Sequence, residues 1–230
     1  MSMPCYAPPE QVMKDRADFA RKGIARGRAL VAVRYDDGIA LVAENPSNRL
    51  RKISEIYDRI AFAGVGKYNE FDQLRVAGVR AADLKGYQYS RDDVDARGLA
   101  NNYAQILGHI FTNEQKPLEV EILVAEVGVF ADDDQLFHIL YDGTVIDERR
   151  YSVLGGDAEA ITARLVDVHQ DTQPLEQALR NAAAALAGPD RNLLASDLEA
   201  GVLSRRNGRR CFKRLSDETV AAALGQAPSD

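Results

Sequence analysis

Arg21-Lys22-Gly23-Ile24-Ala25-Arg26-Gly27, followed by Arg28 and running into Ala43-Glu44-Asn45-Pro46-Ser47, is the stretch on which the fold turns. Between its ends, Ala29 to Tyr35 and Ile39 to Ala43 are strand-like runs joined at Asp37-Gly38, a pairing that predicts a β-hairpin. Ahead of it, Pro9 suits a first helical turn. Glu10 complements the positive helix end and Arg21 and Lys22 the negative one, so a helix is expected from Pro9 to Lys22 with Gly23 as its stop. Met13, Ala17, Ala20 and Ile24 recur at helical spacing and predict one buried stripe. The first threonine of the chain is Thr112, far beyond this stretch.

Working outward, Ile53 to Tyr57 and Arg59 to Gly64 read as two more strands. Tyr68 to Leu84 and Val94 to Phe111 read as two long helices, because apolar residues recur among charges at helical intervals. Alternation returns after Pro117. Val120 to Val127, Gln135 to Tyr141, Thr144 to Asp147 and Tyr151 to Leu154 are expected strands, with a tight turn at Asp142-Gly143. Asp157 to His169 and Pro174 to Ala187 are expected helices, the second stopped by Gly188-Pro189. A last hairpin, Leu198 to Ser204 with Arg209 to Leu215, turns at Asn207-Gly208 before a short helix from Ser216 to Leu224. Strands, two helices, strands, two helices and a hairpin give an α+β reading: two antiparallel sheets face to face between helical layers, with an extra N-terminal helix. The organisation expected is an N-terminal arm at 1–8, a single domain at 9–224 and a polar tail at 225–230.

Composition excludes several classes. At 230 residues, 46% hydrophobic and 28% charged, the chain suits one soluble globular core. No apolar run reaches spanning length and Met1 to Cys5 lack a signal-peptide pattern, so neither membrane nor secretion is expected, and the compartment inferred is the cytoplasm. A net charge of −6 argues against nonspecific nucleic-acid binding. Cys5 and Cys211 are too few for a disulfide framework. His109, His138 and His169 lack ligand spacing, so no metal is expected, and no cofactor either. Gly64-Val65-Gly66-Lys67 has Ala61 at the first glycine of a phosphate loop and Tyr68 at its metal-binding hydroxyl, and reads as a strand-to-helix turn. Asp132-Asp133-Asp134 reads as a solvated loop. Arg205, Arg206, Arg209 and Arg210 read as an exposed basic turn.

Several blocks carry a family resemblance: Pro9-Glu10-Gln11, Ala20 to Arg26, Val42-Ala43-Glu44-Asn45-Pro46-Ser47, Lys52-Ile53-Ser54-Glu55-Ile56-Tyr57-Asp58-Arg59, Gly66-Lys67-Tyr68-Asn69-Glu70-Phe71 and Tyr141-Asp142-Gly143. From about Pro9 to Leu215 the chain resembles the alpha subunits of actinobacterial proteasome core particles. The resemblance implies the four-layer αββα sandwich of N-terminal nucleophile hydrolases and a barrel of four stacked seven-membered rings, alpha rings capping beta rings. In the related beta subunits a glycine precedes the catalytic threonine that opens the first strand. Here Gly27 is followed by Arg28, whose guanidinium stays protonated and cannot act as nucleophile or base. No catalytic residue is therefore expected.

The resemblance further implies a gate formed by Met1, Ser2, Met3, Pro4, Cys5, Tyr6, Ala7 and Pro8. It also implies a ring-shaped ATPase whose C-terminal tails enter pockets between alpha subunits, for degradation of proteins tagged with a small ubiquitin-like modifier. Lys52 matches the pocket lysine by its place in the Lys-Ile-Ser-Glu block. An ammonium about 4 Å from a carboxylate at an effective dielectric near 20 gains roughly 4 kcal/mol before desolvation, enough to orient a tail. The implied partners are the beta subunit, other alpha subunits and the ATPase. An alternative is an active hydrolase of the same fold using Ser2 or Cys5 after trimming, although both lie across a helix from the first strand.

Overall fold

A computed structural model describes residues 8–47, 49–170 and 172–226. Of the expected gate residues, Met1 to Ala7 lie outside the described residues, as do Ser2 and Cys5 of the alternative hydrolase; Pro8 lies inside, at the N-cap of the first helix. The last four residues of the expected tail are also outside. Its first two are ordered by contact: Gly225 caps a helix, and the Gln226 side chain donates to the Leu193 carbonyl at 2.8 Å.

The elements follow in chain order as α1 (Pro9–Ala25), β1 (Leu30–Tyr35), β2 (Gly38–Glu44), β3 (Ile53–Tyr57), β4 (Ile60–Gly66), α2 (Tyr68–Gln88) and α3 (Ala96–Asn113). β5 (Val120–Glu126), β6 (Gln135–Ile139), β7 (Val145–Glu148) and β8 (Tyr151–Leu154) come next. α4 (Ala158–Val168), α5 (Leu175–Ala187), β9 (Leu198–Ser204), β10 (Phe212–Arg214) and α6 (Asp217–Leu224) complete the described chain. Ten strands form two antiparallel sheets, ordered β10-β9-β2-β1-β8 and β3-β4-β5-β6-β7.

Strand periodicity distributes the core. Along β1, Leu30 and Ala32 face the second sheet while Val31, Val33 and Tyr35 face helices α4, α5 and α6. In β4, Ala61, Ala63 and Val65 face the first sheet while Ile60 and Phe62 face α2 and α3. Central strands are thus apolar on both faces, and three buried clusters separate four layers. Ala61 and Ala63 on the inward face of β4, opposite Ile39 and Leu41 of β2, let the sheets approach. α1 adds Ala20 and Ile24 to the cluster between the sheets, so it closes one end of the sandwich.

Three expectations need correction. Gly23 does not stop α1, which continues to Ala25; Gly23 sits where a Cβ would collide with the Glu119 side chain, so the glycine answers to packing and not to termination. The apolar stripe of α1 is buried only at Ala20 and Ile24, with Met13 exposed, because the helix enters the sandwich with its last turns alone. The Asp132–Asp134 loop is exposed as expected at Asp132 and Asp133, and the basic turn at Arg206, Arg209 and Arg210; Asp134 and Arg205 depart from that reading. Asp134, 1% exposed, accepts two hydrogen bonds from Arg205 at 2.7 and 2.8 Å and one from the Gly128 amide at 2.8 Å. Arg206 pairs with Asp37 at 2.9 Å and Arg210 with Glu55 at 2.5 Å. The turn between β9 and β10 is therefore stapled to both sheets. Gly64 to Lys67 forms the junction from β4 to α2, as read.

Candidate functional site

Sheet register brings the candidate residues together. β2 lies between β1 and β9, with Ala43 opposite Leu30 on one side and Glu199 on the other. The residues flanking these positions, Arg28 before β1 and Glu44 and Asn45 at the end of β2, therefore meet Glu199 at one end of the first sheet. The turn at 45–52 then carries the chain to β3 in the second sheet.

Asn45-Pro46-Ser47 builds that turn. The Asn45 side chain donates to the Leu50 carbonyl at 2.8 Å and its oxygen accepts from the Ser47 amide at 3.2 Å, while the Ser47 hydroxyl accepts from the Leu50 amide at 3.0 Å. Such local side-chain bonds replace the ladder that a turn lacks. Lys52 follows immediately. Its carbonyl accepts from the Gly64 amide at 3.0 Å, which fixes it to the second sheet.

The Lys52 amine reaches back across the sandwich end and donates to the Arg28 carbonyl at 2.7 Å. It therefore stands at the entry to β1, beside the residue that follows Gly27. Burial pushes its ammonium down to about 8; the carboxylate of Glu44 opposes this, the Arg28 guanidinium adds to it, and Glu199 opposes it. Lys52 is thus half-buried just before β3, with its amine bonded to the Arg28 carbonyl. The Arg28 guanidinium lies 3.8 Å from Glu44, whose carboxylate also takes two hydrogen bonds from Arg191 at 3.0 and 3.2 Å. Arg28, Glu44 and Arg191, but not Lys52, border a cleft of about 450 Å³ that also includes Asp157, Arg164 and Gly188. Its described lining residues contribute guanidinium and carboxylate groups but no hydroxyl or thiol.

Sequence reasoning missed Glu199. Buried to 3% exposure, its carboxylate accepts from the Asn45 amide group at 2.7 Å, the Lys52 backbone amide at 2.8 Å, the Ile53 amide at 3.2 Å and the Arg214 guanidinium. A lone glutamate in the apolar run Leu198 to Ser204 was the available signal: a charge on a buried strand requires partners. Asn45, Lys52 and Ile53 lie 154, 147 and 146 residues away and could not be named from spacing. Cys211, the cysteine within the described residues, is buried with its thiol pushed up by that burial, which makes it inert and not a nucleophile. No group of three or more metal-ligating side chains occurs among the described residues.

Two sheets between helical layers, with a helix running into the first strand where a free N-terminal nucleophile would stand, define an αββα sandwich of the N-terminal nucleophile hydrolase type. Residues 24–188 match the family model described as proteasome subunit. The chain is 63% identical to the proteasome subunit alpha of Acidimicrobium ferrooxidans over 228 residues, covering 99% of this chain and 98% of that one. It is 56% identical to the proteasome subunit alpha of Sanguibacter keddieii, covering 98% and 92%, and 52% identical to that of Frankia alni, covering 98% of each. The chain belongs to the proteasome subunit family.

Proposed function

We propose that this chain acts as a noncatalytic proteasome alpha subunit, forming seven-membered outer rings that gate a chamber of beta subunits and dock a ring ATPase. One observation carries the noncatalytic part. The backbone passes without a break from α1 through Gly27 and Arg28 into β1, and the position that would need a free α-amine and a nucleophilic side chain holds a guanidinium near Glu44. The alpha-subunit names of the relatives support assembly with other proteasome subunits. Exposed apolar side chains supply faces for it: Val12, Met13 and Phe19 on α1, and Leu84 and Tyr87 on α2 with Tyr89 just beyond. Residues 1–8 are the proposed gate, and 9–224 the ring-forming domain. The proposed compartment is the cytoplasm; among the described residues no helix is long and apolar enough to cross a membrane.

Lys52 is the proposed anchor for a tail carboxylate. A partly buried ammonium whose charge is destabilised by its surroundings gains most from an incoming anion, since the anion restores what burial removes. In particles co-assembled with a beta subunit, Lys52→Ala should abolish ATPase-stimulated protein degradation while small-peptide hydrolysis persists. Undiminished stimulation refutes the docking role, and robust peptide cleavage by the isolated chain refutes the noncatalytic one.

A further inference from the structure

Glu199 stands out among the described residues because one carboxylate gathers donors from three separate segments. Asn45 belongs to the turn after β2, Lys52 and Ile53 lead into β3, and Arg214 lies on β10. Arg214 extends the same tie by donating its other terminal nitrogen to the Ile53 carbonyl at 2.6 Å. Two donors, Asn45 and the Lys52 amide, share one carboxylate oxygen; Ile53 and Arg214 share the other. A glutamine could not reproduce this. Whichever way its amide turned, an NH2 group would face two donors, and two of the four bonds would be lost.

From this geometry we infer that Glu199 is the positioning residue of the Lys52 site: a single buried carboxylate on β9 fixes where the Lys52 backbone leaves the 45–52 turn and so where its side chain starts. The inference rests on the docking role proposed for Lys52 above. The charged groups facing that amine are Arg28 ahead of β1, Glu44 on β2 and Glu199 on β9. Glu44 is shared with Arg28 and Arg191, so its charge is partly engaged elsewhere. Glu199 is itself bound to Arg214, yet of these three charged groups it is the one bonded to the Lys52 main chain. The group that holds the Lys52 main chain, 147 residues away in sequence, thus also contributes to the field at its amine, after burial, Glu44 and Arg28.

The test has two readouts on the full-length chain. Side-chain NMR of 13C-lysine-labelled protein follows the Lys52 titration, with Lys52→Arg assigning the resonance; ATPase-stimulated degradation by particles formed with a beta subunit follows docking, with basal peptide turnover as reference. Glu199→Gln is expected to move the Lys52 midpoint to lower pH than the wild-type value of about 8 and to cut stimulation on the order of tenfold, with basal turnover retained. Asn45→Ala, which severs one donor and leaves the carboxylate intact, should lower stimulation several-fold without moving the midpoint, and it decides the matter if Glu199→Gln does not fold. Wild-type midpoint and wild-type stimulation in the variants that fold overturn the inference. If Lys52→Ala leaves stimulation intact, the docking role fails, and the midpoint shift still reports separately on whether Glu199 sets the charge of the amine.

Discussion

Lys52 illustrates how a residue's environment converts a common side chain into a responsive one. Its folded value of about 8 lies below the ordinary lysine value near 10.5, so the folded state releases the proton first as pH rises. Stability therefore increases with pH between those two values, and the penalty for holding the charge is complete below about 8. Lys52→Met removes the penalty together with the hydrogen bond to Arg28. A net stabilisation of ~1 kcal/mol is expected at pH 7, shrinking towards zero or reversing by pH 10. Chemical denaturation of wild type and variant at both pH values checks this, and a gain independent of pH would contradict it. Gly23 gives a second residue-scale test. Any Cβ there meets Glu119, which Lys67 and Lys116 hold at 2.5 and 3.0 Å, so Gly23→Ala should destabilise by about 1–3 kcal/mol despite its better helix propensity.

Besides burying Ala20 and Ile24, helix α1 is tied down by Arg16. That guanidinium donates to the carbonyls of Phe111 at 2.8 Å, Ile110 at 3.2 Å, Glu114 at 2.6 Å and Gln115 at 3.3 Å, and lies over the Phe111 ring. These carbonyls lie at the end of α3, where the Ile110 carbonyl also accepts from the Glu114 amide at 3.1 Å, and a cation there complements the helix dipole. Arg21 adds a bond to the Tyr141 hydroxyl at 2.9 Å. Arg16→Ala is expected to cost roughly 1–2 kcal/mol. Its signature is local: amide hydrogen exchange should accelerate in α1 and the last turn of α3 while the central strands keep their protection. Uniform acceleration would show that the contact serves the whole fold instead.

For the whole molecule, the proposed ring places α1 at the outer face and residues 1–8 towards the axis. Deleting Met1 to Pro8 should then raise small-peptide turnover by the assembled particle without an activator. Unchanged turnover would remove the gate from the proposal, while annular particles in electron micrographs test the ring independently. The four-layer arrangement is what permits this division of labour. α4, α5 and α6 cover one sheet and α2 and α3 the other, leaving the sandwich end near α1 and Lys52 to carry the site.

Much of this was legible in the chain itself. Asp37-Gly38, Asp142-Gly143 and Asn207-Gly208 mark turns because local backbone conformation is a local property, and the paired strands follow from their apolar runs. Once the resemblance marks the residue after Gly27 as the nucleophile's place, Arg28 argues against one, since a guanidinium stays protonated. What the sequence could not supply was everything that depends on long-range pairing: that α1 buries only its last turns, that Asp134 is a buried partner of Arg205, and that Lys52 rests on Arg28. Glu199 is the clearest case. Its role exists only because β9 pairs with β2, and a charge's partners in a folded chain are chosen by proximity in space, which spacing along the chain does not encode.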